Sequence, residues 1–377
     1  MLLTTVVLSL LSSCCYMKNN YEIIFSNNYT DIFQIKDDGK SNVEQLTFTP
    51  GIGEYYLQVS DNGEQIVFYA ISITSQTDSI ESSEKNNHIY LLNTKDKKID
   101  DITNNFRGSD YPWSEHTIDW AYDLNKFGMI RYDKQEDEYI NYLDIFEFDG
   151  SDNQRYLIPT IGNMSALVNS AIWSPDGEKF LLSQEVIEQQ NKYPGSLLFI
   201  YFLNDGRTVQ LTNYEDNCYL SSWSPTSKQI VTMCRYISSN GILNNPGEKT
   251  IRIFNTENEE QLYDYVGFSP CEYPSWSPDG EQISFVCKKK NGEEGIFVVN
   301  ADGSKFHEID IENFDDFLFF HGPHWSPDGT QIIYVAFLSN YDASHGKIYS
   351  VNIDGSDNHA ITAEEGAYII EAVYPIK

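Results

Sequence analysis

Trp173-Ser174-Pro175-Asp176-Gly177 recurs as Trp276-Ser277-Pro278-Asp279-Gly280 and as Trp325-Ser326-Pro327-Asp328-Gly329. Degenerate copies stand at Trp223-Ser224-Pro225-Thr226-Ser227, Val59-Ser60-Asp61-Asn62-Gly63 and Trp120-Ala121-Tyr122-Asp123. Seven residues after the first member of each copy comes an apolar residue, Ile66, Phe127, Phe180, Ile230, Ile283 or Ile332. In all but the Trp223 copy another follows two positions later, the alternation of a strand. Pro presets φ, Asp bonds the local backbone and Gly accepts positive φ, so the motif turns the chain back antiparallel after the Trp. Each copy therefore predicts a hairpin.

A third strand is predicted in every unit, at Ile89-Tyr90-Leu91, Ile145-Phe146, Leu198-Phe199-Ile200, Ile251–Phe254, Ile296-Phe297-Val298 and Ile348-Tyr349-Ser350. Several of these close on Asp-Gly, and a short fourth strand ends near Gln210-Leu211-Thr212 or Ala360-Ile361-Thr362. Four antiparallel strands every fifty or so residues predict propeller blades, whose faces stay exposed until neighbours stack around an axis. At the N-terminus, Glu22–Phe25, Asp31–Ile35 and Gln45-Leu46-Thr47 read as second, third and fourth strands without a first, and Ala367–Pro375 supplies a first strand without the rest. The expected fold is all-β, a seven-bladed propeller closed by pairing the two ends of the chain, with six blades as the alternative.

The Trp-Ser-Pro-Asp-Gly, Ile-Tyr-Val, Asp-Gly and Gln-Leu-Thr grammar resembles the WD40-like repeat of the TolB-like propeller family. The resemblance implies the propeller fold over nearly all of the mature chain. It leaves function open, because the same repeat occurs in oligogalacturonate lyases and in the propellers of prolyl-oligopeptidase-type enzymes. The α/β domain that precedes the TolB propeller has no counterpart, so a role in the Tol system is not carried over.

Residues Leu2–Leu11 form an apolar run too short to span a bilayer comfortably and suited to the core of an export signal. It ends in Leu11-Ser12-Ser13-Cys14, which resembles the bacterial lipobox. That resemblance implies cleavage before Cys14, a diacylglyceryl thioether on its sulfur and an acylated amino terminus, a multi-chain anchor more stable than a single acyl chain. A plain secretory signal cleaved nearby is the alternative. Residues 1–13 are read as the signal, 14–20 as a short tether and 21–377 as one propeller domain, monomeric and held to a bacterial cell envelope through its N-terminal lipid. No other segment is long and apolar enough to span a membrane. The 377-residue chain carries a formal charge of −31, which repels phosphate backbones and argues against nucleic acid as a partner.

Cys218 and Cys234 stand five before and eleven after Trp223, and Cys271 and Cys287 stand at the same offsets from Trp276. In a hairpin turned midway between them such residues fall opposite each other. The disulfides Cys218–Cys234 and Cys271–Cys287 are expected in an exported protein, with bridges between the two blades as the rival, and reduced pairs or a metal site as further alternatives. The corresponding pair in the Trp120 unit is Glu115 and Arg131, of opposite charge.

No Gly-x-Ser-x-Gly elbow, His-Glu-x-x-His or phosphate-cradling loop is present. His321-Gly322-Pro323-His324 is the only close His pair, and on extended backbone its members point to opposite faces unless the strand bends. Four residues before each motif Trp lies the mouth of the predicted innermost strand, where the ring reads Tyr55, His116, Asn169, Tyr219, Glu272 and His321, with Ile369 from the closing strand. These polar and aromatic positions are candidate ligand contacts. Long loops between second and third strands are expected at residues 71–87, 133–141, 185–196, 235–249 and 336–346, holding Tyr193, Tyr236 and Tyr341. The expected function is non-catalytic, a binding or scaffold propeller for envelope proteins or glycans, with no cofactor, catalytic residue or resident metal. A metal-dependent, lyase-like propeller enzyme using His116, His321 and Glu272 is the alternative.

Overall fold

The computed structural model describes residues 21–27, 31–37, 42–49, 52–60, 63–72, 87–103, 118–120, 126–135, 138–147, 154–159, 168–186, 195–213, 216–235, 249–257, 261–265, 271–289, 291–311, 317–338, 346–363, 366 and 368–375. The strands form seven antiparallel four-stranded sheets. Six are continuous in sequence, and each takes the name of its motif residue: the Val59, Trp120, Trp173, Trp223, Trp276 and Trp325 blades. In the seventh, the closing blade, Tyr368–Pro375 pairs with Tyr21–Asn27, which pairs with Asp31–Lys36, followed by Glu44–Gln45. Seven blades, closed between the chain ends, is the predicted architecture.

The first strand of each blade is innermost, since neighbouring first strands adjoin around the ring: Phe317–Trp325 beside Tyr368–Pro375, that beside Ile52–Val59, and that beside Ile118–Trp120. The predicted register holds throughout, with Val59 opposite Ile66, Trp120 opposite Phe127, Trp173 opposite Phe180, Trp223 opposite Ile230, Trp276 opposite Ile283 and Trp325 opposite Ile332. One expected loop is corrected: across 133–141 the strands run on to Gln135 and resume at Glu138, because Lys126–Gln135 and Glu138–Glu147 form a long hairpin.

Between Trp and the next strand the motif residues do what their chemistry dictates. Ser277 Oγ donates to Asp279 Oδ1 (2.6 Å) and accepts from the amide of Gln282 (2.9 Å), while Glu281 N donates to Asp279 Oδ1 (2.9 Å). Gly280 takes φ 73° and donates its N–H to the Ser277 carbonyl. The same bonds recur at Ser174/Asp176 and Ser326/Asp328. Fourth strands are fastened by their terminal Thr, whose Oγ1 accepts a third-strand amide: Thr47 from Ile32, Thr103 from Ile89, Thr212 from Leu198 and Thr362 from Ile348. This accounts for the Gln-Leu-Thr element of the repeat.

The core lies in the seams between blades. Ile130 and Leu143 of the Trp120 blade pack with Phe180 and Leu182 of the next, and Met233 and Ile251 pack with Trp276 and Phe285. Each fully buried side chain of this size contributes roughly 1.5–3 kcal/mol. The Trp indoles also tie blade to blade: Trp223 Nε1 donates to Ile172 O, Trp276 Nε1 to Ser222 O and Trp325 Nε1 to Ser275 O, at 3.0–3.1 Å. In each case the acceptor is the residue just before the preceding blade's Trp.

The cysteines pair as expected within blades, Cys218 with Cys234 and Cys271 with Cys287, each directly opposite its partner with Cα atoms 4.0 Å apart. Glu115 lies outside the described residues, and Arg131 forms an ion pair with the third-strand carboxylate of Asp144 (3.1 Å).

Candidate functional site

The inner strands carry the predicted ring, and they do not run straight past it. Tyr219 pairs with Met233 and Ser222 with Val231, so Leu220 and Ser221 together oppose a single residue, Thr232. Glu272, His321 and Tyr55 likewise stand last before a two-for-one bulge, opposite Val286, Val335 and Tyr69. The residue that follows enters the left-handed region in three successive blades: Leu220 at φ 50°, Tyr273 at 57° and Gly322 at 48°. Such bulges bend a strand and increase its local twist.

Tyr55, Tyr219, Glu272 and His321 therefore share one register position. Asn169 departs from it, because in its strand the irregularity lies between Val168 and Ser170, and Asn169 is the extra residue. His116 and Cys14 lie outside the described residues, as do Tyr193, Tyr236 and Tyr341. Tyr219 and Glu272 are half-buried. Burial raises the Tyr219 phenol above its ordinary pKa against the opposing field of Arg235, so it is a neutral donor at physiological pH. The expectation that His321 and His324 lie on opposite faces is overturned at the backbone: they pair with Val335 and Ile333, two apart on the facing strand, because the bulge supplies the missing bend. Among the described residues no group of three or more His, Cys, Asp or Glu could hold a metal ion.

Two polar clusters escaped the motif reading, and both flank the closing blade. Glu54 is fully buried, accepts from Thr47 Oγ1 (2.8 Å) and Thr49 Oγ1 (2.6 Å), and burial pushes its carboxyl up to about 7 despite those bonds. Its one sequence signal is register, since Glu54 stands five residues before Val59 as Cys218 does before Trp223. On the other flank, buried Asp37 accepts from Tyr21 Oη (2.7 Å) and meets His359 Nε2 (3.1 Å). The bond to Asp37 raises the imidazole to about 9, outweighing desolvation.

No protein-family model matches the chain, and no curated protein matches it. Solved structures do. TolB from Acinetobacter baumannii aligns at 13% identity over 90% of this chain and 77% of its own, with a TM-score of 0.45. An oligogalacturonate lyase in complex with manganese aligns at 12% identity over 82% of this chain and 83% of its own, with a TM-score of 0.54. Prolyl oligopeptidase B from Galerina marginata aligns at 13% identity and a TM-score of 0.57 over 93% of this chain, which spans 51% of that protein. The likeness is one of fold. The TolB-like repeat read in the sequence fits the seven-bladed propeller observed, and the structures it resembles include a lyase and a peptidase beside TolB.

Proposed function

We propose that this propeller is a non-catalytic binding or scaffold module of the bacterial cell envelope, anchored through lipid on Cys14, with its partner or glycan contacts at the mouth of the central channel. The observation that carries the reading is the common register of Tyr55, Tyr219, Glu272 and His321, each immediately before a bulge in an innermost strand. Four blades thereby offer non-equivalent polar or aromatic residues at equivalent places, which suits recognition of one asymmetric ligand. The two disulfides support export, since such bonds persist in oxidising compartments.

The test is a photo-crosslinking amino acid placed at position 272, with position 157, on an outer strand, as control. Partner adducts in envelope fractions should form from 272 and not from 157; equal yields from both would sink the site. Labelling with a radioactive fatty acid should mark the wild type and not Cys14→Ser.

A second reading, a metal-dependent lyase-like enzyme, is favoured by the bend that places His321 and His324 in one phase of the strand. Elemental analysis of the exported protein decides between them. Near-stoichiometric transition metal, lost in a His116→Ala/His321→Ala variant, would put the enzyme first; a metal-free protein leaves the binding module.

A further inference from the structure

In the Trp120, Trp223, Trp276 and Trp325 blades the position ten residues after the motif residue faces the following blade and is a seam-filling apolar residue. Ile130, Met233, Val286 and Val335 occupy it, all buried and packed into the cluster shared with the next blade. The Trp173 blade instead places a serine there, Ser183. Where those residues fill their seams at this position, Ser183 borders a cleft of about 360 Å³ between the Trp173 and Trp223 blades. That is within the roughly 300–1,000 Å³ range of small-molecule sites.

The cleft has a definite chemical character. Its polar lining comes from Ser170, Ser183, Ser196, Ser221 and Asn217, while Tyr219 borders it along the strand with its ring packed beside Met233 in the seam toward the Trp276 blade. Leu181 and Leu198 are buried beneath them, and Ile172 is half-buried beside them. The wall is organised: Ser183 and Ser196 share a hydrogen bond (2.6 Å), Ser196 N donates to Asn217 Oδ1 (3.1 Å), and Ser221 Oγ donates to Thr232 Oγ1 (2.8 Å). A serine pair joined by one proton still presents a second proton and further lone pairs, and the Asn217 Nδ2 group carries two donors. Leu220, 45% exposed, is held on the rim by the bulge.

Among the described residues, no carboxylate, ammonium or guanidinium lines the cleft. An anionic ligand would find no counter-charge there and would meet the field of a chain at −31, while a cation would find no carboxylate. Groups that both donate and accept, above an apolar floor, match a ligand with hydroxyls along its edge and C–H groups on its face. We propose that the cleft between the Trp173 and Trp223 blades binds an uncharged sugar ring of a glycan, with the serine hydroxyls and Asn217 on its hydroxyl edge and Leu181 and Leu198 beneath its face. This rests on the reading of the chain as a binding propeller and adds a site in the seam beside the inner strand of the Trp223 blade.

The experiment is calorimetric titration and saturation-transfer NMR of the exported protein with cellobiose, maltose and lactose, and with digalacturonate as the charged counterpart. At least one neutral disaccharide should bind and digalacturonate should not. Ser183→Met, which installs the residue that the next blade carries as Met233, should keep the melting temperature at or above wild type and weaken binding at least about tenfold. Ser196→Ala, which leaves the cleft open and removes one hydroxyl, should weaken it less and covers the case in which the methionine variant fails to fold. Absence of binding by all three neutral sugars at millimolar concentration, preference for digalacturonate, or unchanged affinity in both variants would overturn the proposal. Crosslinking from position 272 is independent of sugar, so adducts formed there by a protein that ignores every neutral sugar refute the cleft and leave the binding module standing.

Discussion

The seams between the Trp223, Trp276 and Trp325 blades and the two seams of the closing blade solve one packing problem with different chemistry. In the former, an uncharged indole donates to the neighbouring blade's backbone, and turn packs on turn, with Gly280 against Pro225 and Gly329 against Pro278. In the latter, Tyr374 lies over the turn at Gly63, its hydroxyl donates to Glu22 (2.9 Å), and the flanks are the buried Glu54 and the Tyr21–Asp37–His359 chain. A seam repeated along the chain can be made by one short motif. A seam that joins the two ends has no repeat to draw on and is built from single polar contacts, several of them titratable.

If the stapled blades are the rigid half of the ring, removing a staple should have the largest effect. Cys218→Ala/Cys234→Ala opens a loop with a sequence separation of 16 and should cost about 3 kcal/mol on the chain-entropy model, read by denaturant unfolding. A change within error would mean that the seam, and not the bridge, holds that blade. Next, Gly63→Ala places a Cβ into the Tyr374 ring at a backbone φ of 66° and should lower stability by roughly 2 kcal/mol. A melting temperature equal to wild type would show that the closing seam yields where the others do not. Trp276→Phe keeps an aromatic ring but removes the bond to Ser222 O, at a cost of about 1 kcal/mol beyond the loss of volume.

The smallest effect is the most specific, because the two kinds of seam should respond to pH in opposite senses. Glu54 rises in the fold from 4.5 to about 7, so its contribution is complete below 4.5 and is lost as pH climbs through 7. His359 rises from 6.5 to about 9, so its contribution is complete below 6.5 and is lost as pH climbs through 9. Asp279 runs the other way: hydrogen bonds from Ser277 and the Glu281 amide hold it below the ordinary carboxylate range, and its contribution is lost only as acid protonates it. Hydrogen exchange, corrected for intrinsic rates, should therefore show protection falling in Tyr21–Asn27 between about pH 5 and 9 while Gln282–Lys288 stays level. Glu54→Gln and His359→Gln together should flatten the first profile; parallel profiles in the wild type would remove the distinction.

Most of the fold was legible because its determinants are local and repeated. A Trp, a Pro-Asp-Gly turn and an apolar residue seven places on specify a hairpin in any blade, and the same offsets placed Cys218 opposite Cys234. The candidate site was legible only in part. Tyr55, Tyr219, Glu272 and His321 are found by counting back from the motif, but the bulge after them is not, since neither Leu220 nor Tyr273 is a residue whose type announces positive φ. Asn169 was placed in the ring by the same counting and falls out of step because its strand irregularity sits one residue away.

The register of each hairpin and the closure between the chain ends can be read from the order of residues alone, which also favours seven blades over six and disulfides within blades over bridges between them. They follow from short-range turn chemistry and alternation repeated from blade to blade. The contents of each seam emerge only when the blades are assembled: Ser183 borders a cleft where Met233 fills its seam, Glu54 is buried against Thr47 and Thr49, and Asp37 meets His359. Those outcomes depend on which side chain of the neighbouring blade stands opposite, a contact between residues far apart in the chain that no local pattern encodes.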